Sequence, residues 1–431
     1  MELAGVIILV VVFAVLLLMG VPVAFSIGIS AICTMLVSIH PLPAVTTVAQ
    51  RMATGLDSFA LLAIPFFILA GQIMNRGGIA RRLIDFAKSL VGSLPGALAH
   101  VNIVAAMFFG AISGSSVAAA SAVGGIMVPR MDEEGYDRAY GAAVNITSAT
   151  TGLIIPPSNI LIVYSLASGG ASIAALFLAG YLPGIVVGLS LMIVAGAMAH
   201  RRNYPRAERA RIGEAVRRFF DALPSLFLLV VVIGGIVAGI FTATEASAVA
   251  VAYAFVLALI YREIGVKDLP SILLDTASTT AIVMLLIGTS MALSWVMSYE
   301  NIPQNVATTL VSLSDSPIVI LLIINVILLA VGTFMDMTPA VLIFTPIFLP
   351  IVVEMGMDPV HFGIVMVLNL CIGLCTPPVG SVLFVGCGIA DVPITRVIRP
   401  LLPLFVAMIV SLMIVTYVPG LSLWLPRAFG F

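Results

Sequence analysis

Apolar positions along the chain gather into long blocks instead of alternating or recurring at single-face helical spacing. Residues 5–19 and 22–38 are two such blocks, joined by the turn Met19-Gly20-Val21-Pro22, and residues 58–75 are a third. As helices, blocks of this length match the hydrocarbon thickness of a bilayer. Residues 79–93 differ: Ile79, Leu83, Ile84, Phe86, Ala87 and Leu90 oppose Arg81, Arg82, Asp85 and Lys88, the pattern of an amphipathic helix at the membrane interface. Residues 96–130 are apolar but interrupted at Ser113-Gly114-Ser115-Ser116, which predicts a helical hairpin entering and leaving on one side. A span broken in its middle is expected at 138–167, then an intact one at 171–199.

The second half repeats the plan. Spans are predicted at 222–241, 243–261 and 276–297, a hairpin at 317–353 interrupted between Gly332 and Pro339, a broken span at 360–388 and a last span at 400–418. The repeat is visible residue by residue at an offset of 221. Pro129, Gly135-Tyr136-Asp137, Gly152 and Pro156-Pro157 recur as Pro350, Gly356-Met357-Asp358, Gly373 and Pro377-Pro378. Ser190–Val194 and Ser411–Val415 are identical, and Ser115 is equivalent to Asp336. A proline pair removes helical donors and clashes with the preceding turn. Inside a membrane, broken backbone persists only where protein or a water-filled cavity satisfies it. Two breaks at matching positions of two halves point to a transporter's binding site.

Composition removes the soluble alternatives. The chain is 61% hydrophobic and 9% charged, against about 25% charged in soluble domains. Residues 139–199 carry no charged side chain. The expected class is an all-α polytopic membrane protein, with no β-barrel alternation. The N-terminal run lacks a basic leader region and continues into a second span, so it reads as a retained helix. Cys33, Cys371, Cys375 and Cys387 all lie in apolar segments and form no disulfide or zinc framework. No basic-aromatic pattern points to nucleic acid.

Charge sets the expected orientation. Five crossings plus one hairpin per half would invert the two halves (1–200 and 221–431) around a basic linker at 201–220. With that linker in the cytoplasm, 17 basic residues lie inside and only Arg51 and Arg427 outside, a strong positive-inside bias. Both termini are then expected outside. The first hairpin opens to the cytoplasm through Arg130–Arg138, and the second outward through the Lys- and Arg-free stretch 353–359.

Four polar interruptions carry the candidate chemistry. They are the tip Ser113, Ser115 and Ser116; the break bearing Thr150, Thr151, Gly152, Pro156, Pro157, Ser158 and Asn159; the tip Gly332, Thr333, Asp336 and Thr338; and the break bearing Asn369, Thr376 and Pro377. A hairpin turning inside the membrane leaves unpaired N–H groups at the start of its second arm. Ser115 or Ser116, and Thr338 followed by Pro339, fit N-cap and N1 positions. Such helix starts suit a carboxylate, whereas unwound carbonyls suit a bare cation such as Na⁺. Small hydroxylated residues also serve as packing contacts between membrane helices, and Asp336 could merely shape its tip. Glu245 reads equally as an early-turn helix acid. Asp137 and Asp358 read as caps. His40, His100, His200 and His361 fall at predicted span ends, away from any mid-membrane proton relay.

At this point the residues resemble a known family. Ala63–Gly71, Gly110–Ser115, Gly152–Ser158 and Gly373–Gly380 are similar to the large membrane subunit of tripartite ATP-independent periplasmic (TRAP) transporters. The resemblance covers nearly the whole chain. It implies an elevator-type transporter of the ion transporter superfamily in the cytoplasmic (inner) membrane of a bacterium or archaeon. It further implies sodium-driven uptake of an organic acid anion delivered by a periplasmic binding protein, with a separate small four-helix membrane subunit and no cofactor. By the same resemblance, one sodium site would draw on Ser113, Ser115, Ser116, Thr150, Thr151 and Gly152, and the other on Gly332, Thr333, Asp336, Asn369 and Thr376. The family's usual Ala-Asp after the first tip is Val117-Ala118-Ala119-Ala120 here. Competing expectations are a stand-alone symporter of the same superfamily, a passive channel, and an intramembrane hydrolase using Ser113 or Ser115. The hydrolase lacks a partner His or Lys at matching depth.

Overall fold

The computed structural model describes residues 2–92, 94, 96–204, 212–314, 316–377 and 379–431. Linker arginines Arg206, Arg209 and Arg211, and Pro378 of the second break, lie outside the described residues. Apart from two short 3-10 turns, the described elements are α-helices. In chain order they are α1 (Glu2–Leu18), α2 (Val23–Ser38), α3 (Pro41–Leu56), α4 (Ala63–Arg76), α5 (Ile79–Val91), α6 (Ala97–Ser113), α7 (Ser116–Glu133), α8 (Arg138–Thr151), α9 (Asn159–Ala167) and α10 (Ile173–Arg201). The second half supplies α11 (Ile212–Val237), α12 (Ala243–Tyr261), α13 (Leu269–Tyr299), α14 (Ile302–Leu313), α15 (Pro317–Phe334), α16 (Met337–Glu354), α17 (Pro359–Gly373), α18 (Ser381–Ala390), α19 (Ile394–Tyr417) and α20 (Gly420–Ala428). Eight stretches of the described helices are long and apolar enough to cross a membrane.

α6–α7 and α15–α16 are helix pairs joined by two-residue turns, Gly114-Ser115 and Met335-Asp336, and helicity is interrupted between α8 and α9 after Thr151 and between α17 and α18 after Gly373. Local chemistry explains the breaks. Gly114 ends α6 at φ +61° with its N–H on Gly110 O, a left-handed closure that costs glycine little. Asp137 and Asp358 cap α8 and α17 through Ala139 N (2.9 Å) and Val360 N (2.8 Å). Thr242 and Glu245 form a reciprocal capping box at the start of α12, so Glu245 is the early-turn helix acid.

Three helices were not foreseen. α3, α14 and α20 are short or polar on one face, too little apolar over too few residues to read as spans. The third span of the second half, expected at 276–297, is part of the longer α13. The amphipathic segment is α5, whose apolar stripe is buried against α6 and α11.

Helix packing divides the molecule into two groups. α1–α4 pack with α11–α13. The two hairpins, the two broken helices, α10, α19 and α20 pack together in the other group. α5 and α14 touch both. Within the second group the contacts recur at the repeat offset. α7 packs on α18 as α16 packs on α9, and α8 packs on α19 as α17 packs on α10. Ser411 Oγ donates to Ser190 Oγ at 2.9 Å across α10 and α19, a bond between two residues 221 apart.

Candidate functional site

Each broken helix holds its hairpin at close range through glycine. A Cβ on Gly152 would lie 2.4 Å from Gly110 Cα, and one on Gly373 would lie 2.5 Å from the Gly332 carbonyl carbon. Such approach lets main chains touch where any side chain would separate them. An asparagine adds a second grip in each half. Asn145 Nδ2 donates to Ala120 O of α7 at 3.0 Å, and Asn369 Nδ2 donates to Asn325 O and Oδ1 of α15, both at 2.8 Å. Both asparagine side chains are fully buried, and their Oδ1 atoms have no protein partner among the described residues. Buried amide oxygens are rarely left unpaired, and such hard neutral oxygens suit a cation like Na⁺.

With the hairpins so held, their tips converge. One cavity of about 290 Å³ is lined by Ser113, Gly114, Ser115 and Ser116 from the first tip and by Asp336, Met337 and Thr338 from the second. Leu153 and Asn159 from the first break and Leu374 from the second complete that side. The opposite wall comes from the other helix group: Ile64, Ile68, Gly71, Gln72 and Asn75 on α4, and Thr279 and Val283 on α13. The cavity therefore lies on the seam between the two groups.

The caps decide what the tips offer. Ser115 is the N-cap of α7 and accepts from Ala118 N at 3.2 Å. At the second tip the expectation needs correction. Thr338 is not the cap, because α16 begins at Met337 and Asp336 occupies the N-cap position. Thr338 and Pro339 fall inside the first turn, where proline is tolerated. The Asp336 side chain makes no N-cap bond to the first turn, and its main-chain neighbour is the N–H of Met337. Among the described residues it forms no ion pair, and it is the only charged residue on the cavity wall. An ionisable group at membrane depth is costly, and function is the usual reason for one.

The other expected site residues lie behind this wall. Thr150, Thr333 and Thr376 hydroxyls donate to the helical carbonyls of Thr147, Leu329 and Ile372. Thr151 does the same to Ser148 O. Ser158 is buried with no partner on its hydroxyl among the described residues, at the N-cap of α9 behind Pro156-Pro157. Gly152 and Gly332 are helix-crossing points, and Pro377 lies in the second break. The sequence missed Gln72, Asn75 and Thr279, which come from spans outside the hairpins and breaks. The available signal was a pair of carboxamides three residues apart near the end of an otherwise apolar span.

The family model described as "Tripartite ATP-independent periplasmic transporter, DctM component" matches residues 10–421. The chain belongs to this family. This permease is 58% identical over 418 residues to "Uncharacterized protein YgiK" of Salmonella typhimurium, covering 97% of this chain and 96% of that one. It is 41% identical over 406 residues to the C4-dicarboxylate TRAP transporter large permease protein DctM of Pseudomonas aeruginosa, covering 94% of each. Among solved structures, the YdaH transporter of Alcanivorax borkumensis superposes with a TM-score of 0.66 at 12% identity, covering 91% of this chain and 90% of that one. That likeness is one of fold. The chain is thus a multi-pass TRAP large permease subunit, a transporter component rather than an enzyme, and the family implies membrane and binding-protein partners.

Proposed function

We propose that this permease is the large subunit of a Na⁺-coupled secondary transporter that imports an organic acid anion. The observation that carries the reading is the cavity where the two hairpin helix starts, α7 and α16, meet one carboxylate without an ion pair among the described residues, on the seam between helix groups. Helix starts favour the anion. Asp336 and the unpartnered asparagine oxygens favour a cation. A site holding both couples one to the other. Anion import driven by sodium would then require that the occupied site move between the two faces. The hairpin group would travel against the α1–α4 and α11–α13 group, an elevator motion.

The repeat supports the same reading. Two halves (1–200 and 221–431) related by a twofold axis in the membrane plane would place Ser190 and Ser411 at the axis. That accounts for their hydrogen bond at the repeat offset. Both termini and the second hairpin exit would face the periplasm, and the 201–220 linker and first exit the cytoplasm. Gly135 and Gly356 have φ of +86° and +84°, which a cysteine would strain. Glu134→Cys and Glu354→Cys, each in a cysteine-free background, are the better probes, since both positions are exposed. An impermeant maleimide should label Glu354→Cys from the periplasm and Glu134→Cys only after permeabilisation. Labelling of both from one side rules out the inverted repeat.

Delivery by a periplasmic binding protein and completion by a small four-helix membrane subunit belong to the same proposal. A relative named "Isethionate TRAP transporter permease protein DctMQ" is matched over only 65% of its length, which leaves room for a fused second component. Purified permease reconstituted alone should show no solute accumulation under an inward Na⁺ gradient. Adding both partners should restore it. Accumulation by the permease alone would instead favour a stand-alone symporter.

A further inference from the structure

The cavity wall is polar in an uneven way. Asp336 is its only charged residue, and among the described residues it has no Lys, Arg or His. Three carboxamides line it: Gln72 and Asn75 from α4 and Asn159 from the start of α9. None of the three side chains hydrogen-bonds a protein group among the described residues, although each is half-buried. Ser116, only 6% exposed, also presents a hydroxyl with no hydrogen-bonded protein partner among the described residues. A carboxamide offers two donors and an acceptor, and leaving such groups unmet in a confined site is costly.

Resting on the anion-import reading above, we infer that this site takes a hydroxylated monocarboxylate. Its one carboxylate sits at the hairpin starts and its neutral hydroxyl-bearing tail against Gln72, Asn75 and Asn159. A second carboxylate has no cation to meet on the far wall. It would lose its water without compensation. Hydroxyl groups avoid that penalty, because they donate to and accept from carboxamides at little desolvation cost. Size agrees with a single small acid: about 290 Å³ lies at the lower edge of small-molecule sites, which run from roughly 300 to 1,000 Å³. Gln72 and Asn75 belong to the opposite helix group from the tips. The substrate tail therefore bridges the seam, and Gln72 and Asn75 read it from the side that does not carry the carboxylate.

Binding to the full permease in lipid nanodiscs at fixed Na⁺ tests this, with D-gluconate, succinate and propionate as probes and calorimetry or thermal shift as readout. Gluconate should bind at least about tenfold more tightly than succinate. Gln72→Leu and Asn75→Leu should each weaken gluconate by about tenfold, the effect of losing roughly one to two hydrogen bonds. Propionate, which has no hydroxyl, should bind wild type and both variants alike, showing that the leucine variants remain folded. Tighter binding of succinate than gluconate overturns the inference and leaves anion import standing. Unchanged gluconate affinity in both variants overturns the carboxamide assignment. Absence of binding by every probe, together with absent sodium-dependent uptake by the assembled transporter, overturns both.

Discussion

Asp336→Asn should raise the Na⁺ concentration needed for half-maximal uptake by about tenfold or more, with little change in expression or assembly. The substitution keeps the shape of the side chain and removes its charge. The folded structure does not depend on that charge through an N-cap bond, which Asp336 does not make, and the one main-chain contact of its side chain, with the N–H of Met337, can be kept by an asparagine oxygen. Nor does it depend on an ion pair, because no described cation contacts it. What the carboxylate can still supply is attraction for a cation at the cavity wall, where Asp336 is exposed. Loss of one charge-assisted contact is worth about 1.5–3 kcal/mol, and each 1.4 kcal/mol is about tenfold in affinity. Uptake by the assembled transporter, titrated with Na⁺ at constant ionic strength, reads the effect directly. An unchanged sodium curve would make Asp336 a structural residue of the tip.

Gly152→Ala and Gly373→Ala should each destabilise the permease strongly, by about 1–3 kcal/mol or more as overpacking, and abolish uptake. At both positions the added methyl would meet backbone, not the end of a flexible side chain. It would lie 2.4 Å from Gly110 Cα in one case and 2.5 Å from the Gly332 carbonyl carbon in the other. The hairpin would have to withdraw from its broken helix, and the tip residues would leave the cavity. Gly125→Ala is the control. Gly125 is a helical glycine of α7 with nothing within 4 Å of its would-be Cβ, so alanine there should be neutral or stabilise by up to about 1 kcal/mol. Melting temperatures in detergent, compared across the three variants, separate the crossing effect from helix propensity. Equal melting of all three would mean that the glycine crossings are not needed to hold the hairpins.

The architecture was legible in the sequence wherever one physical rule acted alone. Membrane length follows from apolar run length, so the principal spans fall where expected. Pro156-Pro157 and Pro377 cannot continue a helix, and α8 and α17 end ahead of them, at Thr151 and Gly373. Asp137 and Asp358 cap because a short acid before a helix has a nearby N–H to accept from. The 221-residue register is a property of the sequence itself, and the Ser190–Ser411 bond is its spatial echo.

What tertiary structure alone decided is which of the polar residues face one another. Ser113, Ser115, Ser116, Asp336 and Thr338 share a cavity, while Thr150, Thr333, Asn369 and Thr376 stand behind it on helical carbonyls or on Asn325. A threonine in an apolar helix can bond its own backbone or a ligand with equal ease, and only packing selects between them. The cap at the second tip passed to Asp336 rather than Thr338 because the turn is closed in two residues, Met335 and Asp336. Chain tightness of that kind is not encoded in residue type. Gln72, Asn75 and Thr279 stayed invisible for a different reason. They belong to spans far from the hairpins in sequence, and only the docking of α4 and α13 against the tips brings them to the site.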